Sequence, residues 1–65
     1  MIKVVIKLNN MSNIIVKMSN LQLKQFKAEV ELNTWITLNK YTDDLKDETE
    51  INVNNISVIV YQPIQ

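Results

Sequence analysis

Ile2, Val4, Ile6 and Leu8 alternate with Lys3, Val5, Lys7 and Asn9. Apolar residues at every second position mark a strand with one buried face. After the polar stretch from Asn9 to Asn13, the same even-numbered phase resumes in Ile14, Val16 and Met18. A slip of one residue would turn the second strand's apolar set toward solvent. An odd-length loop avoids that slip, and a loop over residues 9–13 satisfies it. The pattern thus predicts a β-hairpin with Val4 opposite Met18 and Ile6 opposite Val16. Its outer face carries Lys3, Val5, Lys7, Ile15 and Lys17. The chain contains no glycine. Asparagine tolerates positive φ better than other non-glycine residues, so an asparagine is expected to take any left-handed position in this turn.

Ser19 with Gln22 three positions later has the form of a capping box. Leu21 to Leu32 is rich in strong helix formers. Leu23, Phe26 and Val30 share one stripe at helical spacing, and Leu21, Ala28 and Leu32 another. The second stripe is either a partner surface or the margin of the core. Phe26, Ala28, Val30 and Leu32 also alternate with polar residues, as a strand would. Propensity over the whole window and the cap favour helix, with Asn33 as its left-handed closing residue. Thr34 to Tyr41 reads as a strand, and Thr42 to Thr49 as an acidic loop. Ile51 and Val53 form a short strand broken at Asn54 and Asn55. A last strand follows, with Ile56, Val58 and Val60 facing inward, and ends at Pro63.

The fold class is therefore α+β: a small antiparallel sheet in the order β-β-α-β-β, its last strand split by a turn, with one helix packed on it. A small all-β barrel is the alternative if residues 26–32 are a strand. The expected core is Ile2, Val4, Ile6, Leu8, Ile14, Val16, Phe26, Val30, Ile36, Leu38, Ile51, Val53, Ile56, Val58 and Val60.

At 65 residues the chain is a single domain, 1–65, and one this short buries only about 60% of its unfolded surface. Small domains lean on disulfides, metals or oligomerisation. With no Cys and no His in the chain, disulfides and Cys/His metal sites are excluded, and a partner or a second copy becomes the expectation. No cofactor is expected. No apolar run approaches the ~20 residues of a membrane span. The first residues lack the uninterrupted apolar segment of a secretory signal, which points to a cytoplasmic protein with no membrane partner. Nine Ile, nine Asn and seven Lys, with no Arg or Gly, suit an AT-rich genome such as that of a low-GC bacterium or its phages.

Net charge is zero, yet it is unevenly spread. Residues 1–27 carry five lysines and no acid, while residues 28–65 carry seven acids and two lysines. The acids Asp43, Asp44, Asp47, Glu48 and Glu50 lack the central Gly and the spacing of a calcium loop. They could imitate phosphate toward a nucleic-acid-binding protein, or form a solvated loop with Thr42 capping a turn that begins at Asp43 and Asp44. Lys3, Lys7, Lys17, Lys24 and Lys27 form the candidate nucleic-acid surface, a less favoured reading because single-strand binding also wants stacking aromatics beside the charge. Trp35, Tyr41, Ile59 and Tyr61 fall in the phase opposite to the expected core. Pointing outward, they would form an aromatic contact surface. Ser12, Ser19 and Ser57 have no histidine to activate them, so no catalytic residue is expected. These features together predict a small non-catalytic module that binds another protein, in the manner of a phage or mobile-element inhibitor acting by occlusion or by acidic mimicry. Nucleic-acid binding through the lysines is the alternative.

Overall fold

A computed structural model describes residues 1–64 of the chain. Strands β1 (Ile2–Leu8) and β2 (Asn13–Met18) are followed by helix α1 (Asn20–Leu32). The short strands β3 (Trp35–Thr37) and β4 (Glu50–Asn52) and the long strand β5 (Ile56–Pro63) come next. The strands make two small antiparallel sheets, one of three strands in the order β2-β1-β5 and one pairing β3 with β4. The class is α+β, and no closed barrel forms among the described residues. Among the described residues no helix is long and apolar enough to cross a membrane.

The hairpin has the expected inner face, because Val4, Ile6, Val16 and Met18 are fully buried. Its register differs from expectation by two residues, a shift that preserves the face. Val4 lies opposite Val16 and Ile2 opposite Met18. The turn is two residues shorter: the Met11 N–H donates to the Leu8 carbonyl at 3.0 Å and the Leu8 N–H to the Ser12 carbonyl at 2.9 Å. This is the three-residue hairpin loop whose last residue must be left-handed. That residue is Met11, with φ 71°, not an asparagine. Asn10 serves the turn through its side chain instead, accepting the Ser12 N–H at 3.0 Å.

Helix α1 starts as its sequence predicts. The Ser19 hydroxyl accepts the Gln22 N–H at 3.1 Å, and the Gln22 side chain accepts the Ser19 N–H at 2.9 Å. Leu23 and Phe26 are the helix residues buried against the three-stranded sheet. Phe26 is completely enclosed, and truncating such a residue to Ala costs roughly 3–5 kcal/mol. The other end departs from expectation. Asn33 is extended, with φ −122° and ψ 148°; its N–H still donates to the Glu29 carbonyl at 3.0 Å, and the chain runs on through Thr34 into β3.

Two further expectations are corrected. The strand expected over Thr34–Tyr41 ends at Thr37, and residues Leu38–Lys40 form a 3-10 turn. The Leu38 N–H donates to the Thr49 carbonyl and the Tyr41 N–H to the Leu38 carbonyl, each at 2.9 Å. The turn carries Tyr41 inward, where it is 5% exposed and meets Phe26 edge-on at 5.8 Å between ring centres. The strand expected at Ile51 and Val53 is Glu50–Asn52, and Val53–Asn55 forms a second 3-10 turn capped by the Asn52 side chain, which accepts the Asn54 N–H.

The last strand changes phase. Leu8 pairs with Ile56, but Lys7 pairs with Val58, leaving Ser57 as an extra residue. Such a bulge reverses which side chains face inward beyond it. Ile59 pairs with Ile6 and Tyr61 with Val4, on the inner face. Val58 and Val60, expected in the core, pair with Lys7 and Val5 on the outer face instead. Ile59 packs against the core and Val58 is 48% exposed.

Candidate functional site

The helix covers one face of the three-stranded sheet and leaves the other uncovered. The register arranges that outer face in rows: Lys17, Lys3 and Gln62; Ile15, Val5 and Val60; Asn13, Lys7 and Val58. The middle row is wholly β-branched, and Val58 extends it. Ile15 is 57% exposed. The three lysines stand at both ends of this aliphatic patch, and none of the positions on the face is acidic. Half of the patch was legible in the hairpin alternation. Val58 and Val60 were not, because only the bulge brings them there. The signal available was Ser57 inside an otherwise apolar strand directly after Asn54 and Asn55.

The five candidate nucleic-acid lysines divide between two surfaces. Lys3, Lys7 and Lys17 share the outer sheet face, whereas Lys24 and Lys27 lie on the helix. The Lys27 ammonium sits 4.4 Å from the centre of the Tyr61 ring, a cation–π contact. Among the described residues no aromatic stands on the outer sheet face.

The four candidate contact residues do not form one patch. Tyr41 is in the core, and burial, with the Glu29 carboxylate second, pushes its phenol above the usual 10.0. Ile59 packs against the core, whereas Tyr61, on the same inner face, is 36% exposed and lies under Lys27, its phenol also raised by burial. Trp35 stays 60% exposed on the small sheet.

The acidic loop is structured and partly committed. The Lys17 N–H, at the outer edge of β2, donates to Asp44 Oδ2 at 2.7 Å. The Thr42 hydroxyl donates to the Lys17 carbonyl at 2.7 Å and accepts the Asp44 N–H at 3.2 Å. Thr42 thus caps the turn at Asp44 as expected, and it is 2% exposed. Sequence reasoning missed Asn39, which organises the rest of the loop. Its amide donates to the carbonyls of Leu45 and Asp47 at 3.2 and 2.9 Å and accepts the Thr49 N–H at 2.7 Å. Asp43, Asp47, Glu48 and Glu50 remain exposed. Among the described residues no three acids converge closely enough to share a metal ion. A shallow groove of about 390 Å³ lies between the hairpin turn and the start of β5, lined by Leu8, Asn9, Asn10 and Asn55. Those side chains offer amides and one aliphatic surface, but no acid, base or nucleophile.

No family model matches the chain, and comparison with curated proteins and with solved structures returned no match.

Proposed function

We propose that the chain is a small non-catalytic module that binds another protein and acts by covering part of that protein's surface. The outer face of the β2-β1-β5 sheet is the contact. The observation that carries this reading is the aliphatic patch on the sheet face that the helix leaves open, with exposed Ile15 and Val58 flanking half-buried Val5 and Val60, framed by Lys3, Lys7 and Lys17 with no acid among them. Contiguous exposed apolar surface with a polar rim is the mark of an interaction site. The rim supports a partner of complementary chemistry: an apolar centre edged by carboxylates. Like-charged rims repel, and complementary ones steer the encounter. Phosphate binding alone would leave the aliphatic centre without a role, since base stacking calls for aromatic platforms.

The test is retention of a partner from a nuclease-treated lysate, compared across three single variants. Ile15→Glu and Val58→Glu keep the fold, because both side chains face solvent, and lose a protein that the unaltered chain retains. Trp35→Ala retains it. Retention by both Glu variants with loss in Trp35→Ala would move the contact to the small sheet. Recovery of nucleic acid in place of protein would overturn the reading.

A further inference from the structure

We propose that two copies of this chain pair through their β5 edges, joining two three-stranded sheets into one six-stranded sheet about a twofold axis at Val60. This pairing uses an edge of the sheet rather than its face and leaves the face open to whichever partner it takes.

In an antiparallel ladder each strand residue turns its N–H and C=O to one side, and successive residues alternate. Lys17 spends both groups on the acidic loop, away from β1. Its pair Lys3 therefore turns toward β5, together with Val5 and Lys7. Two bonds beyond the strand ends agree: the Ile64 N–H reaches the Met1 carbonyl at 3.1 Å and the Asn9 N–H the Asn55 carbonyl at 2.8 Å. On β5, then, Gln62, Val60 and Val58 bond to β1. Ile59 and Tyr61 turn their N–H and C=O groups outward, beyond the last strand of the sheet. No other backbone bond engages them among the described residues. Open edges of this kind are templates for another strand.

The two edges of the sheet are treated differently. The β2 edge is closed at Lys17 by Thr42 and Asp44. Among the described residues the β5 edge has no such guard, and no residue from 51 to 65 is itself charged; the Lys27 ammonium lies over the Tyr61 ring, on the inner face. A head-to-tail chain of molecules needs both edges, whereas a closed dimer needs only the open one twice.

Register follows from the same groups. Pairing Ile59 with the second copy's Tyr61, and the converse, uses all four outward groups. Centring the axis on Tyr61 would set Ile59 against Pro63, which has no N–H to give. Centring it on Ile59 would set Tyr61 against Ser57, within the bulge. With the axis at Val60, the middle row of the outer face continues unbroken as Ile15, Val5, Val60 and then the same three residues of the second copy in reverse. Lys7 then lies in one row with the second copy's Lys3, three strands away. At ~4.8 Å per strand that is ~14 Å, beyond the ~8–10 Å screening length at physiological salt.

The chain has no cysteine, so one introduced thiol gives a clean readout. Across the axis the two Val60 residues form a non-hydrogen-bonded pair, with Cα atoms ~4.5 Å apart, inside the range a disulfide spans. Val58 residues would lie about 14 Å apart, four residues out of step. Val60→Cys is therefore expected to cross-link under mild oxidation at least tenfold faster than Val58→Cys, and sedimentation of the unaltered chain to give twice the 7.6 kDa chain mass. Tyr61→Pro removes an outward N–H without touching the β1 ladder, so it should fold and run as a monomer. Should that variant fail to fold, Val60→Lys places two cations at the axis and should also be a monomer. A monomeric unaltered chain at every soluble concentration, an open-ended series of larger species, equal cross-linking of the two cysteine variants, or a folded Val60→Lys that stays dimeric would each overturn the proposal.

Discussion

The hairpin turn offers the most direct check on how a chain without glycine closes its loops. Met11 holds φ 71° and is 92% exposed. Its side chain therefore contributes almost no packing, and a substitution there reports backbone preference alone. A non-glycine residue in the left-handed region gives up about 1 kcal/mol or slightly more. Asparagine visits that region at lower cost because its side chain bonds locally to the backbone. Met11→Asn should therefore stabilise the domain by about 0.5–1 kcal/mol, which for a chain of this size raises Tm by roughly 2–8 °C. Met11→Gly removes the steric penalty too, but it adds about 0.5–1 kcal/mol of unfolded-state entropy to overcome, so its gain is smaller. Met11→Val should destabilise, since a branched Cβ is the worst fit at positive φ. The assay is thermal and urea unfolding of the three variants by circular dichroism, with unchanged urea slopes as the sign that only stability moved. Val equal to or better than Asn would refute the tight turn and restore the longer loop over residues 9–13.

Ile59→Ala should cost about 1–2 kcal/mol, since Ile59 packs half-buried on the core, and Val58→Ala under 0.5 kcal/mol; equal costs in denaturant would mean there is no change of phase at Ser57. Asp44→Ala strands the Lys17 N–H at the β2 edge and should cost about 1 kcal/mol, with faster amide exchange at Lys17 as the local signature. Tyr41 has a folded pKa above its ordinary 10.0 because of burial and Glu29. A raised folded pKa means that the folded state holds its proton longer, so this contribution is complete below pH 10 and is lost as pH rises through the folded value. Stability should therefore fall above pH 10, and Tyr41→Phe should flatten that fall; an unchanged alkaline profile would place the phenol outside the core.

The parts of the fold that could be read from the sequence are those that local physics decides. The hairpin's inner face follows from alternation, and the start of the helix from Ser19 and Gln22, each within a few residues. The parts that could not be read turn on a partner elsewhere in the chain. Tyr41 looks like a strand residue by propensity, yet Leu38 is held by Thr49, which bends the backbone before Tyr41 and sends its ring to Phe26. The bulge at Ser57 needs β1 as its template, because Ile56, Val58 and Val60 are a faultless alternation on their own. That single extra residue moved two valines out of the core and two of the four candidate contact residues, Ile59 and Tyr61, onto the inner face. The candidate site was thus half legible: the lysines and Ile15 follow from the hairpin, and Val58 and Val60 only from the pairing.

The division of charge along the chain acquires a physical reading from the same contacts. Five lysines in residues 1–27 and seven acids in residues 28–65 invite the view that the halves are held together by ion pairs. The bonds that join them at β2 instead run to backbone: the Asp44 carboxylate accepts the Lys17 N–H, and the Thr42 hydroxyl donates to the Lys17 carbonyl. That bond spends the Asp44 carboxylate on a peptide N–H rather than on a lysine ammonium of the outer face. Lys3 and Lys17 are directly paired there, an arrangement that like charges disfavour in an isolated sheet. A partner bringing carboxylates to that end of the face would relieve the repulsion as it bound. Replacing Lys3 by Gln should then stabilise the free chain by a few tenths of a kcal/mol while weakening its hold on an acidic partner. Opposite signs for stability and binding, read by unfolding and by titration at low and high salt, separate a lysine pair kept for recognition from one that merely keeps the sheet soluble. If Lys3→Gln left binding and its salt dependence unchanged, the lysine rim would have no part in the contact.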